Sequence, residues 1–471
     1  MDTATIAAIA TPPGEGGIGV VRLSGPDAAS IAEQVFRRTG RDGRPHPVQL
    51  HATESHRLLY GTIVDPKTGR PVDEVLLAWM AGPHTYTRED TVEISCHGGP
   101  LPLRETLRVL LASGARHAER GEFTLRAFLN GRLDLTQAEA VLQVIGARTA
   151  ESLRLAVSDL AGELTQRLAP ANTALISLLA YLDASADFPD DEIDTTSHQH
   201  DINLGLTAAE EALEDVVAGS RAGMLYRDGA RIALVGRPNV GKSSLLNALL
   251  RSDRAIVTPI AGTTRDVIEE SIDLEGIPAT LLDTAGIVDT EDPVERIGVE
   301  RSRKALASSA AIILVVDGSV NPGADDLAIV ETLAARSSSE QTPVVIARNK
   351  SDLPERGDLT AITSLLADVP MIGISAATGA GLTDLEHTLA EILRGGASGV
   401  TPALITARQH AAIERALAHL HDARAAWELG VPQDLLATSV RAALHAVGEV
   451  TGEQVDEAVL NEIFSRFCVG K

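Results

Sequence analysis

Arg231-Ile232-Ala233-Leu234-Val235-Gly236-Arg237-Pro238-Asn239-Val240-Gly241-Lys242-Ser243 is the stretch on which the fold turns. After Arg231, the residues Ile232–Val235 are apolar and read as a buried strand. The next eight match G-x-x-x-x-G-K-[ST], and Ser244–Leu250 follow with helical character, the strand–loop–helix context that this motif requires. The glycines let backbone N–H groups face a phosphate chain at the positive end of a helix. Nucleotide contacts are expected from Asn239, Val240, Gly241, Lys242, Ser243 and Ser244, with Lys242 bridging the β- and γ-phosphates and Ser243 on Mg²⁺.

The rest of a guanine-nucleotide site follows in order. Leu281-Leu282-Asp283 is a buried strand running into Thr284-Ala285-Gly286, a D-x-x-G sequence whose Asp283 reaches Mg²⁺ through water. Ile312–Asp317 reads as another buried strand, and Val344–Ala347 leads into Asn349-Lys350-Ser351-Asp352. In N-K-x-D the carboxylate of Asp352 accepts two N–H donors that guanine offers and adenine does not. Ser375-Ala376 complete the base pocket through their backbone, and Thr264, in Gly262–Asp266, is the expected second protein ligand of Mg²⁺. These residues predict a GTP-hydrolysing domain with a Ras-like doubly wound sheet.

The residue after D-x-x-G is Ile287, where many such enzymes carry a glutamine that orients the attacking water. An apolar side chain cannot do this. Asp289, Glu291, Asp292 and Glu295 lie just downstream, and spacing alone does not choose among them.

Working outward, 471 residues imply two or three domains. With 44% hydrophobic and 23% charged residues the composition is that of a globular protein. No apolar run approaches the roughly 20 residues of a membrane span, and no basic n-region marks a signal peptide, so a cytoplasmic protein is expected. Two cysteines, Cys96 and Cys468, are too few for a disulfide framework or a zinc cluster. A net charge of −24 excludes nonspecific coating of nucleic acid, and 3% aromatics exclude a broad base-stacking platform.

Residues 1–118 mix strands (Ile18–Leu23, Glu74–Trp79, Thr91–Ile94) with helices expected at Asp27–Arg38 and Leu101–Ala112, an α+β domain. Residues 119–220 turn helical, with a capping box expected at Thr136–Glu139 and an acidic loop at Asp187–Asp194. Ile413, Leu417, Leu420, Arg424 and Trp427, then Leu436, Val440, Leu444 and Val447, restore helical periodicity. The expected architecture is a multidomain α/β, α+β and all-α chain. In it a nucleotide domain (221–390) is inserted into a helical domain formed by 119–220 and 391–471.

Two patterns mislead. Gly14–Gly19 matches G-x-G-x-x-G but runs into a strand where a dinucleotide fold needs a helix, so it reads as a close-approach loop. Cys468–Lys471 outlines a prenylation box, but lysine is not a usual last residue.

Several segments together carry a resemblance over nearly the whole chain. They are Ala10–Gly19, His97–Pro100, Gly121–Thr124, Arg126–Gly131, Asp187–Pro189, Gly236–Asn239, Val294–Gly298 and Phe467–Lys471. The sequence resembles the bacterial tRNA-modification GTPases of the MnmE (TrmE) family. The resemblance implies an N-terminal folate-binding and dimerisation domain, a discontinuous helical domain and an inserted G domain. It implies a homodimer whose GTP hydrolysis is activated by potassium-dependent pairing of G domains. A heterotetramer with the FAD-carrying MnmG (GidA) partner would modify carbon five of the tRNA wobble uridine with a tetrahydrofolate one-carbon unit. It implies Glu295 as general base through water, and Asn239, Thr258, Ile260 and Thr263 around potassium, with Thr258 and Thr263 also among the nucleotide contacts. Folate contacts carry over to Arg22, Glu93, Arg132 and Lys471. Val288 replaces a frequent arginine, and Cys468 is a possible functional cysteine without a visible base partner. The alternative is a ribosome-assembly or regulatory GTPase of the Era/Der type, which would share the G domain but not the N-terminal segment.

Overall fold

The computed structural model describes residues 3–187, 195–251, 255–256, 271–283, 306–340, 342–395 and 401–471. The chain divides into two compact units, Met1–Leu142 with His445–Lys471, and Gln143–Leu444.

The first unit is built on an eight-stranded sheet. Its order is Pro45–His46, Phe36–Thr39, Arg57–Val64, Pro71–Met80, Thr91–His97, Ile18–Ser24, Ile6–Ile9 and Arg116–His117. All pairings are antiparallel except that of Ile6–Ile9 with Arg116–His117. Period-two alternation turns Val21, Leu23, Val92 and Ile94 inward under helices Ala28–Val35 and Pro100–Ala112, which add Ile31, Leu103, Leu107 and Leu110. The same alternation turns Arg22 and Glu93 to the opposite face, directly across from each other. The C-terminal tail belongs to this unit: Val469 bridges to Arg120, and Phe464 and Phe467 are buried with ring centroids 5.4 Å apart.

Two local expectations are corrected here. The helix expected at Asp27–Arg38 ends at Val35, because Phe36 is already extended and pairs with Ile63, so a ladder overrides helical periodicity. The capping box belongs to Asp134 and Gln137, not Thr136: Asp134 Oδ1 accepts from Gln137 N (2.8 Å) and Gln137 Oε1 from Asp134 N (3.0 Å). Helix Leu135–Gly146 therefore begins one residue before Thr136.

In the second unit, helices Ala150–Leu160, Glu163–Asp187, Thr195–Asp228 and Ala407–Glu428 pack together, and most of Gln433–Thr451 belongs to it. Ile413, Ala416 and Leu420 are buried, as are Leu206, Leu213 and Val216. Arg424 reaches Glu210 at 2.5 Å and the Thr207 hydroxyl at 2.9 Å, tying helices more than two hundred residues apart.

Between helices Thr195–Asp228 and Ala407–Glu428 the chain forms a seven-stranded sheet. Its order is Ala255–Ile256, Ser271–Leu274, Ile277–Asp283, Ala230–Val235, Ala311–Asp317, Val344–Asn349 and Met371–Gly373. The last five are parallel, and every residue of Ala311–Asp317 is buried, as a sheet covered on both faces requires. This is the doubly wound P-loop domain expected from the strands, with apolar layers on each side.

The chain returns through residues 401–405, whose backbone is held by helical side chains and glycines. Arg167 donates to Thr401 O (3.3 Å), Ala403 N to Gly219 O (2.9 Å), Gln143 to Leu404 O (2.8 Å), and Arg227 to Ile405 O. Asp159 accepts from Leu404 N, and burial, with Glu163 nearby, pushes its carboxyl up to about 7. Among the described residues no helix is long and apolar enough to cross a membrane.

The close passage of this segment sets a test. A Cβ at Gly223 would stand 1.9 Å from Ala403 O. Gly223→Ala should destabilise the chain by about 1–3 kcal/mol, read as a lower midpoint in urea denaturation followed by helical circular dichroism. An unchanged midpoint would contradict the packing described.

Candidate nucleotide site

The P-loop geometry follows from its glycines and one asparagine. A Cβ at Gly236 would lie 2.4 Å from Val315 O, so only glycine lets the loop leave its strand so close to the neighbouring one. Gly241 has φ +101°, and its missing Cβ leaves room for the Asn349 side-chain amide, which would otherwise be 2.3 Å away. Asn239 lies in the left-handed region at φ +64°, a conformation asparagine tolerates better than most residues. Helix Lys242–Arg251 starts at once, with Leu245 N donating to Gly241 O at 2.8 Å.

Lys242 Nζ donates to Gly236 O (2.7 Å) and Arg237 O (3.0 Å), so the ammonium is drawn back over the loop. Burial pulls it below the ordinary lysine value, against the opposing pull of the Asp283 carboxylate. The parallel register sets Asp283 beside Leu234, and Ser243 Oγ donates to Asp283 Oδ2 at 3.3 Å. A hydroxyl and a carboxylate oxygen thus meet at the N-terminus of the helix, hard oxygen donors of the kind Mg²⁺ takes.

The base pocket is braced by three side chains. Asn349, 2% exposed, donates to Val240 O (2.8 Å) and accepts from Ala376 N (3.0 Å), joining the P-loop to the last pocket loop. Lys350, at φ +67°, donates to Asp317 Oδ2 at 2.6 Å. Burial would raise the Asp317 carboxyl, but hydrogen bonds from Lys350 and Ser319 outweigh it and hold it below the ordinary range. Ser375 Oγ donates to Asp352 Oδ1 at 2.6 Å and itself accepts from Thr378 N at 3.2 Å. The structure thus brings together Val240, Gly241, Lys242, Ser243, Asp283, Asn349, Lys350, Asp352, Ser375 and Ala376. Sequence reasoning missed the brace on Asp317 and the hydroxyl of Ser375. The former is signalled only by an aspartate ending a buried strand. Thr258, Ile260, Thr263, Thr264, Thr284, Ala285, Gly286, Ile287, Val288, Asp289, Glu291, Asp292 and Glu295 lie outside the described residues.

A second cluster lies in the first unit. Arg22 donates through Nε to Glu93 Oε1 at 2.7 Å, and its Nη2 lies 2.6 Å from the same oxygen. Its Nη1 donates to Gly470 O at 3.4 Å. The guanidinium lies 5.8 Å from the Tyr86 ring and 5.7 Å from that of Phe123, while Arg132 stands 4.8 Å from Tyr86. Lys471 follows Gly470 directly, its N–H donating to Cys468 O at 3.4 Å. Gly470 has φ +95° and passes so close that a Cβ would sit 2.5 Å from Ile9 O. Tyr86, Phe123 and the Gly470 carbonyl carry no sequence signal of their own. Cys468 is exposed, and burial pushes the Cys96 thiol up to about 11, away from nucleophilic use. The Gly14–Gly19 stretch is indeed a close approach: Gly16 N donates to Gly98 O at 2.9 Å, and a Cβ on Gly98 would be 2.3 Å from Gly16 O.

Asp352 keeps one carboxylate oxygen unpartnered among the described residues, as the expected role in reading the base edge requires. Asp352→Asn should shift preference from GTP towards xanthosine triphosphate by about tenfold or more, for one exchanged hydrogen-bonding pattern of 1–3 kcal/mol. Competition binding with both nucleotides checks this, and an unchanged ratio would show the base lies elsewhere.

Comparison with known proteins now adds what geometry does not. Residues 5–132 match the family model for the GTP-binding protein TrmE N-terminus, and 135–468 that for the MnmE helical domain. The tRNA modification GTPase MnmE of Roseiflexus castenholzii is 50% identical over 479 residues, covering 99% of both chains. Those of Heliobacterium modesticaldum and Symbiobacterium thermophilum are each 47% identical, covering 99% and 100% of both chains respectively. With a P-loop domain set inside a helical domain and a matching N-terminal domain, the chain belongs to the MnmE family of tRNA modification GTPases.

Proposed function

We propose that the chain is a potassium-stimulated, dimer-activated GTPase that acts with an FAD-dependent partner of the MnmG (GidA) family. Together they install (carboxymethyl)aminomethyl groups at carbon five of the tRNA wobble uridine, using a tetrahydrofolate one-carbon unit. Residues 1–118 serve folate binding and dimerisation, 119–220 and 391–471 the helical domain, and 221–390 GTP hydrolysis, in the cytoplasm.

The observation that carries this reading is the cluster of Arg22, Glu93, Arg132 and Tyr86 beside the Gly470 carbonyl. Both Arg22 contacts fall on Glu93 Oε1, which leaves Oε2 without a partner among the described residues. A carboxylate with one free oxygen, an aromatic face and two guanidiniums suits a flat heterocycle bearing N–H donors and carboxylates. Arg22, Glu93, Arg132 and Lys471 would hold the folate, which when bound supplies a one-carbon unit. The chain's own part there is to bind and orient it; Cys468 takes no step in this scheme.

In the G domain, Ser243 and Thr264 would hold Mg²⁺, with Asp283 behind them, and Asn239 with Thr258, Ile260 and Thr263 would hold K⁺. These ions, when bound, neutralise charge on the phosphates. The Lys242 ammonium, which rests on the Gly236 and Arg237 carbonyls, would turn from them to phosphate oxygens. Glu295 would take the proton of the attacking water through a second water, the role that Ile287 cannot fill.

Three measurements decide this reading. Glu295→Ala should leave GTP affinity near wild type while turnover falls about a hundredfold or more, as expected when general-base catalysis is lost. Exchange of potassium for sodium should also slow the wild type, and retained turnover in either case would remove that group from the mechanism. Chromatography of tRNA nucleosides from cells lacking the chain should show hypomodified wobble uridine; a normal profile would sink the assignment.

A further inference from the structure

We propose that the edge hairpin of the N-terminal sheet, residues 36–49, is a docking surface for the phosphate backbone of tRNA, an inference that rests on the tRNA-modifying reading above. The segment Phe36-Arg37-Arg38-Thr39-Gly40-Arg41-Asp42-Gly43-Arg44-Pro45-His46-Pro47-Val48-Gln49 holds four arginines and one aspartate, in a chain with 41 basic and 65 acidic residues. On so acidic a molecule a polyanion is repelled at long range, and a local surplus of fixed cations is what makes one approach possible.

The hairpin is firmly built. Arg38 pairs across the ladder with His46, and Gly40 N donates to Arg44 O at 2.9 Å. Gly43, at φ +73°, closes the turn by donating to Gly40 O at 3.0 Å. Phe36 is fully buried at its base, and Glu33 Oε1 accepts from Leu50 N at 2.5 Å. One of the four arginines is structural: Arg37 donates to Glu33 O and Gln34 O, both at 3.1 Å, and to Phe36 O at 2.9 Å. Arg38, Arg41 and Arg44 are different. They are exposed, and their side chains have no hydrogen-bond or ion-pair partner among the described residues. The one acid does not neutralise them. Asp42 is held by the His46 ring at 3.0 Å and by Arg44 N at 3.1 Å.

Arg38, Arg41, His46, Gln49 and Thr53 line an open cleft of about 600 Å³ along this edge. Guanidiniums fixed on a rigid edge, with amide and hydroxyl groups between them, match what positions a nucleic-acid backbone without reading its bases. The edge does not suit a protein partner. Pro45 and Pro47 and a two-residue outer strand block strand addition, and the lining offers no exposed aromatic anchor.

The test uses the full chain and tRNA purified from cells lacking it, with fluorescence anisotropy across a salt series. R38E/R41E/R44E should bind about tenfold or more weakly, and the slope of log affinity against log salt should fall by about 2 to 3, as three lost phosphate contacts require. R38K/R41K/R44K, which keeps the charges, should retain most of the slope. R41E alone should lower the slope by about 1, and is the variant to read if the triple change lowers the melting temperature. Basal GTP turnover should be unchanged throughout. Wild-type affinity and slope in a folded R38E/R41E/R44E would overturn the inference, as would affinity loss with an unchanged slope. Hypomodified tRNA in cells lacking the chain, together with normal tRNA binding by the glutamate variant, would sink the hairpin alone. Normal tRNA in those cells would sink the reading it rests on.

Discussion

A chain that leaves a helical layer to build a separate sheet domain must come back, and here the return is fixed by five backbone groups. Residues 401–405 lie outside any helix or strand, and within the segment only Ile405 N finds a partner, Ala403 O at 3.0 Å. The helices supply the partners: Arg167, Gly219, Asp159, Gln143 and Arg227 each take one. The glycines at 219 and 223 exist on an otherwise ordinary helix because the returning backbone passes where a Cβ would stand. Ala403, Leu404 and Ile405 are each at most 3% exposed, so burial and hydrogen bonding act on the same few residues. Loosening a partner of Ala403, Leu404 or Ile405 leaves a buried polar group stranded, which costs more than the bond itself contributes.

A second tie joins the two layers at a position that matters for the nucleotide. Thr149 caps helix Ala150–Leu160 in a capping box with Ser152, and its hydroxyl also donates to Gly276 O at 2.6 Å. Gly276, with Glu275, forms the turn between strands Ser271–Leu274 and Ile277–Asp283. The same turn is gripped from the other side, where Glu275 pairs with His387 at 2.7 Å and with Arg394 at 3.0 Å. Strand Ile277–Asp283 runs from this turn to Asp283 beside Ser243, so a single rigid strand spans from the helical layer to the phosphate end of the site.

How much of this the residues reveal on reading depends on range. The P-loop and N-K-x-D stretches are legible because each is a local strand–loop unit. The helix after Asp27 is misread past Val35 because Phe36 obeys a strand partner far along the chain, Ile63, and not its own neighbours. The cap at Asp134 is missed because Thr136-Gln137-Ala138-Glu139 offers an equally good local pattern two residues on. The Arg22–Glu93 pair and the Gly470 carbonyl come together only through tertiary register, so composition and spacing carry no trace of them. The resemblance supplied Arg22, Glu93, Arg132 and Lys471; it did not supply Tyr86 or Phe123, whose rings line that space.

The proposed base pocket leaves one carboxylate to bear the discrimination. Asn349 is engaged inside the protein, donating to Val240 O and accepting from Ala376 N, and Lys350 is engaged with Asp317. Both therefore set the shape of the pocket by holding three loops at the ends of adjacent parallel strands, where such sheets bind ligands. Asp352 is the exception. It stands exposed, with one oxygen oriented by Ser375 and the other unclaimed among the described residues. A carboxylate so held keeps its direction without losing its capacity to accept, and guanine alone presents the matching pair of N–H donors. On the proposed reading, specificity for the base would rest on the Ser375 hydroxyl, which Thr378 N secures from behind, as much as on the charge of Asp352 itself.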